Sequence, residues 1–175
     1  MYHAIVKRKI RNGFRHLSAG NYEAVLREFA PRVEFVFAGE HALSGNLGNI
    51  ETIRLWFQRL FRIFPGLQFQ VHDVVISGWP WHTVAATHFS VSSDFPDGRQ
   101  YHNCGMQYVR LRWGRVVEDR IYEDTQKLVE ELQHLDERGM SEAGAQPISE
   151  QSRLRSKNLL LDKPIGRFFA GVNHG

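Results

Sequence analysis

The 175-residue sequence holds one cysteine, Cys104, which excludes an internal disulfide framework and fits a reducing, cytoplasmic setting. No apolar run approaches the ~20 residues that a membrane-spanning helix requires. The longest early run, Ala4-Ile5-Val6, is too short for the core of a secretion signal. Nine histidines are present, yet no His-x-His or His-x3-His pair falls on one element, so no metal site is expected. Glycine-rich phosphate loops are missing as well. The one Gly-x-x-Gly run, Gly45 to Gly48, lies in a connecting loop, which leaves no nucleotide cofactor to expect. These absences leave a cofactor-free protein of about one domain in length.

What is present is ordinary globular material, 42% hydrophobic and 12% aromatic. The net charge of +3 is uneven: residues 1–20 carry five basic side chains and no acid. That patch reads as the solvated face of an amphipathic helix. It lacks interleaved exposed aromatics, which argues against nucleic acid as a partner.

Val6, Ile10, Phe14 and Leu17 form one apolar stripe at helical period, ending at Ala19-Gly20. Asn21 predicts an N-cap for a short helix carrying Tyr22, Val25, Leu26 and Phe29, stopped by Pro31. Residues 32–38 alternate as a strand, and residues 39–48 read as an irregular glycine-rich loop. Asn49 predicts the cap of a third helix with Ile50, Ile53, Phe57, Leu60, Phe61 and Phe64 on one face. The period then changes to two. Strands are predicted near 68–77, 82–93, 100–112 and 115–124, and a polar helix over 125–138. From Gly139 the composition turns to that of a linker. Beyond it Leu159, Leu160, Leu161, Ile165, Phe168 and Phe169 predict a docked arm, on this subunit or a neighbour. The domain is expected at 1–138, with linker and arm at 139–175.

The order helix, short helix, strand, long helix and four-strand meander resembles the nuclear-transport-factor-2-like superfamily, which includes SnoaL-like polyketide cyclases and steroid Δ-isomerases. The likeness is carried by LSAGNYEAVLREFAPRVEF, LSGNLGNIETIRLWFQRLFRIFPGLQF and VRLRWGRVVEDRIYEDTQKLVEEL. It implies an α+β cone, a curved antiparallel sheet wrapped around three N-terminal helices, with an internal pocket for a small hydrophobic ligand. Such a fold hosts enzymes, binders and assembly modules alike. The isomerase set is not carried over intact. Gly13 holds the place of its tyrosine, Phe35-Val36-Phe37 that of its aspartate base, and Gln107 that of its second oxyanion donor. The cyclase run is altered too, with Asp119 where a histidine would stand and Ile121 where an acid would.

By the resemblance, residues 119, 121 and 123 look into the cone, together with Asn103, Gly105, Gln107 and Val109. Val84, Ala86, His88 and Ser90 are expected to join them from the neighbouring strand. His88, Gln107, Asp119 and Glu123 are then the candidate catalytic residues. His88 would transfer the proton, Asp119 orient it, Gln107 stabilise an oxyanion, and Glu123 stand as reserve base. Leu17, Trp56, Phe57, Leu60, Asn103 and Ile121 are the candidate ligand-binding residues. Plainer readings stand beside these. His88 and Trp56 would serve equally as core residues, and Asp119 and Glu123 as partners of Arg110 or Arg120. A register slip of one would instead present Glu118, Arg120, Tyr122 and Asp124. Cys104 is expected on the opposite face, buried. His102, Cys104, Met106, Tyr108 and Tyr122 on that outer face predict a homodimer.

Overall fold

The first helix, α1 (Tyr2–Ser18), buries Val6, Ile10 and Phe14 and turns its basic residues outward, so the apolar stripe decides its orientation. These features come from a computed structural model, which describes residues 1–149. Gly20, at φ +70°, lets the chain leave α1 in a left-handed turn that a side chain would disfavour. Asn21 then caps α2 (Tyr22–Leu26) by accepting from the Ala24 amide at 3.3 Å. Helix α2 ends before Pro31, because Phe29 already belongs to strand β1 (Phe29–Phe37). Pro31 lacks an N–H, and it falls where pairing with the neighbouring strand is interrupted, between Phe29 and Glu34.

The stretch read as an irregular loop contains a further strand, β2 (Gly45–Asn49), antiparallel to β1. Its composition, Gly-Asn-Leu-Gly-Asn, has no strand preference of its own. Pairing with β1 and full burial of Leu47 hold it. Asn49 caps α3 (Ile50–Ile63), accepting from the Thr52 amide at 3.0 Å, and Ile53, Trp56, Phe57, Leu60 and Ile63 are buried. Strands β3 (Gln68–Trp79), β4 (His82–Asp94), β5 (Gln100–Arg112) and β6 (Arg115–Glu123) follow, and α4 (Thr125–Glu137) closes the order. The six strands lie in the order β2-β1-β6-β5-β4-β3, a curved, unclosed sheet. Pairing is antiparallel everywhere except β1–β6, which run parallel. No helix among the described residues is long and apolar enough to cross a membrane.

Two registers decide which side chains enter the cone. Strand β5 pairs Gln107 with Thr87 and Met106 with His88. Directly opposed residues share a face, so Thr87 looks inward and His88 outward. The expected inward set Val84, Ala86, His88 and Ser90 is therefore corrected to Thr83, Ala85, Thr87, Phe89 and Val91. Phe89 and Val91 alternating with Ser90 and Ser92 carry the signal. The threonines and alanine earlier in the strand obscure it. In β6, Leu111 opposes Val116 and Arg110 opposes Glu118, which leaves Val117 as an extra residue. This bulge shifts the inward phase from Val116 to Asp119. Cys104 does point away from Gln107, but it is exposed on the outer face rather than buried.

Residues beyond Glu137 do not leave the body at once. Ala143 and Ile148 are buried in the core. Arg62 grips Glu142 through two 2.8 Å bonds, and Arg59 donates to the carbonyls of Ala42 and Gln146 at 3.0 and 2.8 Å. The predicted arm over Leu159 to Phe169 lies outside the described residues. Truncating Ile148 to alanine should lower unfolding free energy by about 2 kcal/mol, read as a lower urea midpoint. An unchanged midpoint would mean that this segment contributes nothing to the core.

Candidate active site

Asp119 sits mid-strand on β6, opposite Val109 of β5 and Phe35 of β1, with only 4% of its surface exposed. Gln107 is its diagonal neighbour on β5. The Gln107 Nε2 amide donates to both Asp119 oxygens, at 3.0 and 3.1 Å. Burial raises the Asp119 pKa to about 7, and the Gln107 hydrogen bond only partly offsets that desolvation. No arginine reaches Asp119 among the described ion pairs. Arg110 and Arg120 instead hold Glu118 on the outer face, at 2.6 Å each, and Arg120 also reaches Glu34.

Glu123 lies four residues further along β6 and faces inward like Asp119, with its pKa likewise raised to about 7 by burial. Asn103 donates to Glu123 Oε2 at 3.3 Å, to the Tyr101 hydroxyl at 2.8 Å and to the Asp124 carbonyl at 3.1 Å. Gly105, directly opposite Glu123, makes this placement possible. A Cβ there would come within 2.8 Å of the Phe89 ring and 2.9 Å of Glu123 Cγ.

These groups line two spaces. A narrow cavity of about 60 Å³ is walled by aromatic and aliphatic side chains, including Leu17, Trp56, Phe57, Leu60 and Ile121, with Gln107, Asp119 and Glu123 as its polar floor. A wider cleft of about 560 Å³ runs between α1, α2 and the inner sheet face, and its lining also includes Gln107 and Asp119. Asp119 therefore lines both the narrow cavity and the wider cleft. Gly13 lines the cleft, and a Cβ there would meet nothing within 4 Å, so this position keeps the cleft open. Trp56 is both wall and core, its indole N–H donating to the Leu43 carbonyl at 2.6 Å.

Of the predicted site, Gln107, Asp119 and Glu123 come together with Leu17, Trp56, Phe57, Leu60 and Ile121. Two residues do not join them. His88 is exposed on the outer face, its ring 4.9 Å from that of His72, which removes the expected proton-transfer histidine. Asn103 has the predicted inward direction but supports Glu123 from behind and does not line the cavity. Gln107 spends its amide on Asp119, so it positions that carboxyl rather than an oxyanion. The structure adds Phe14 and Val25, which were legible only as helix residues, and Gly13, which the resemblance marked only as the place of a missing tyrosine. Thr87 faces inward beside Gln107 without lining either space. The Thr87 hydroxyl is fully buried with no hydrogen-bond partner among the described residues. No group of three or more metal-ligating side chains gathers among the described residues.

A family profile described as the SnoaL-like domain matches residues 10–119. The chain belongs to the SnoaL-like family. Solved structures agree in fold. A nuclear-transport-factor-2-like protein of unknown function from Burkholderia pseudomallei is 17% identical at a TM-score of 0.59, covering 71% of this chain and 94% of that one. IdmH from Streptomyces antibioticus, provisionally described as a polyketide cyclase, is 18% identical at 0.58, covering 73% and 97%. TerC, crystallised with polyporic acid, is 16% identical at 0.56, covering 69% and 92%. No curated protein matches the chain. This SnoaL-like domain thus shares its architecture with proteins of several descriptions, and its own residues must carry any functional argument.

The raised carboxyl has a thermodynamic signature. Asp119 holds its proton more tightly folded than unfolded, so its contribution is fully favourable below about pH 4 and is lost as pH rises through about 7. Ionising it in place costs on the order of 2–4 kcal/mol. Asp119→Asn keeps an acceptor for Gln107 and removes that cost. It should melt roughly 5 °C or more above the parent at pH 8 and no higher at pH 4. Equal melting temperatures at both pH values would show that Asp119 ionises as readily folded as unfolded.

Proposed function

We propose that this SnoaL-like protein is a cofactor-independent acid/base enzyme acting on a small hydrophobic carbonyl compound, by isomerisation, cyclisation or a related lyase or hydrolase step. One observation supports this reading above the others. Asp119 is a buried carboxyl poised near neutrality, held by Gln107 on both oxygens and lining both an apolar cavity and an open cleft. In this reading the Asp119 carboxylate removes a proton from the carbon beside a carbonyl, leaving an enolate, and returns it at a second carbon. Glu123, in its protonated form, donates to the enolate oxygen. Two carboxyls near pH 7 supply one base and one acid at neutral pH. IdmH, described provisionally as a polyketide cyclase, and TerC with its polyporic acid are consistent with small organic ligands for the fold.

Exchange of α-protons for deuterium, followed by NMR over a panel of aromatic and alicyclic ketones, tests this without knowledge of the natural substrate. The parent protein should catalyse exchange for at least one member, with a bell-shaped pH profile. Asp119→Asn should lose about 100-fold or more, and Glu123→Gln less. Exchange that survives unchanged in Asp119→Asn would remove Asp119 from the mechanism.

A homodimer through the outer sheet face is part of the same proposal. Val75, Met106 and Tyr122 are large apolar residues exposed on the outer sheet face, with Met106 directly opposite Tyr122, and this is the surface a partner copy would cover. Light scattering at micromolar concentration should return about twice the 20.3 kDa chain mass. A monomer mass would refute the dimer and leave the pocket chemistry standing.

A further inference from the structure

The wide cleft carries a charge pattern that the proton-transfer reading does not use. Its inner wall is apolar, formed by Ile10, Phe14, Val25, Val109, Leu111 and Val116. Its rim is basic. Arg8 and Lys9 come from α1, and Arg27 and Glu28 follow α2 on the other side. Lys9 and Glu28 form an ion pair across the opening and so cancel one another. That leaves Arg8 and Arg27, both exposed, adjacent in sequence to the two partners of this pair. Arg115 adds a third guanidinium, donating to the Arg27 carbonyl.

Arg54, Arg62, Arg99, Arg110, Arg120 and Arg138 each hold a carboxylate. Like Arg11, Arg15, Arg32, Arg59, Arg112 and Arg115, neither Arg8 nor Arg27 has an ion-pair partner among the described residues, but these two line the cleft. Helix α1 contains no acid, and Glu23 of α2 is already engaged by Arg54. Two guanidiniums at the rim of an apolar cleft suit a ligand whose head is an anion and whose body is greasy.

We propose that the cleft takes an amphipathic organic acid, with its carboxylate received by Arg8 and Arg27 and its apolar body running inward to Asp119. This deepens the acid/base reading above by naming the substrate class, and it rests on that reading for the role of the cleft. The carboxylate fixes which end of the molecule stays at the rim. The carbon presented to Asp119 is then one remote from the acid group. Attraction at an exposed rim is modest and screened by salt, so it should appear as a preference of about tenfold at low ionic strength.

Displacement of the neutral fluorophore N-phenyl-1-naphthylamine from the full chain tests this, using 1-naphthylacetate and its carboxamide as competitors of matched shape. The acid should displace the fluorophore at about a tenth of the amide concentration, and 0.5 M NaCl should erase most of that difference. The double variant Arg8→Gln/Arg27→Gln should lose the preference while binding the amide as before. Both positions are exposed, so its melting curve should match the parent. Gly13→Phe, which projects a ring into open cleft space, should abolish displacement by both competitors. Equal displacement by acid and amide in the parent would overturn the anion rim alone, since the pocket would still be occupied. A preference that persists in the double variant would overturn it too, placing the anion elsewhere. If the fluorophore fails to bind, or binds unaffected by Gly13→Phe, the cleft is not a ligand site. The acid/base reading then falls with it.

Discussion

The β-bulge at Val117 is the constraint on which the site depends. Up to Val116 the hairpin from β5 alternates regularly, closed by Trp113 and Gly114 with φ of +49° and +76°. Continued alternation would have sent Glu118 and Arg120 into the cone and Asp119 to the surface. The extra residue reverses the phase, so Asp119, Ile121 and Glu123 face the helices. Glu118 is left outside, where Arg110 and Arg120 neutralise it. One inserted residue thus separates a carboxylate that stabilises the sheet from one that is held ready to ionise.

Holding Asp119 inside has a cost that the surrounding packing must offset. The aromatic cluster of Phe35, Trp56 and Phe57, with ring centroids between 4.8 and 6.1 Å apart, excludes water on one side of the carboxyl. Among the described residues its side-chain hydrogen bonds come from Gln107, and an amide is a weaker partner than a cation. An arginine in that place would have pulled the carboxyl pKa down and left a permanent anion. The combination of a greasy wall and a neutral donor is what keeps a proton available near pH 7. Glu123 reaches the same condition by the same route, burial raising its pKa and the Asn103 amide only partly offsetting it, in the space opened by Gly105.

Most of the architecture was legible along the chain, because apolar spacing and capping chemistry are local. The stripe of α1, the Asn21 and Asn49 caps and the change of period after Pro65-Gly66 each depend on residues within a turn or two. The start of β1 and the whole of β2 were not, since their strand character comes from partners far away in sequence. Within the site, Gln107, Asp119 and Glu123 do line the cavity, but the face was chosen by the family resemblance, since alternation from Val116 alone would have turned Asp119 outward. His88 was misplaced, because Thr83, Ala85 and Thr87 give no apolar contrast by which to choose a face. The basic rim was visible as a cluster on α1, but Arg27 belongs to another element, and only folding brings the two sides together.

The sequence by itself determined which segments are helices and which meander strands, and that a carboxylate would stand near the middle of the last strand. Short-range sterics and the burial of periodic apolar residues are sufficient for that. Tertiary structure alone decided which face of β4 looks inward and how α1 and α2 frame a cleft leading to Asp119. Those outcomes are set by hydrogen-bond register and packing between segments 20 to 100 residues apart, interactions that no local pattern encodes.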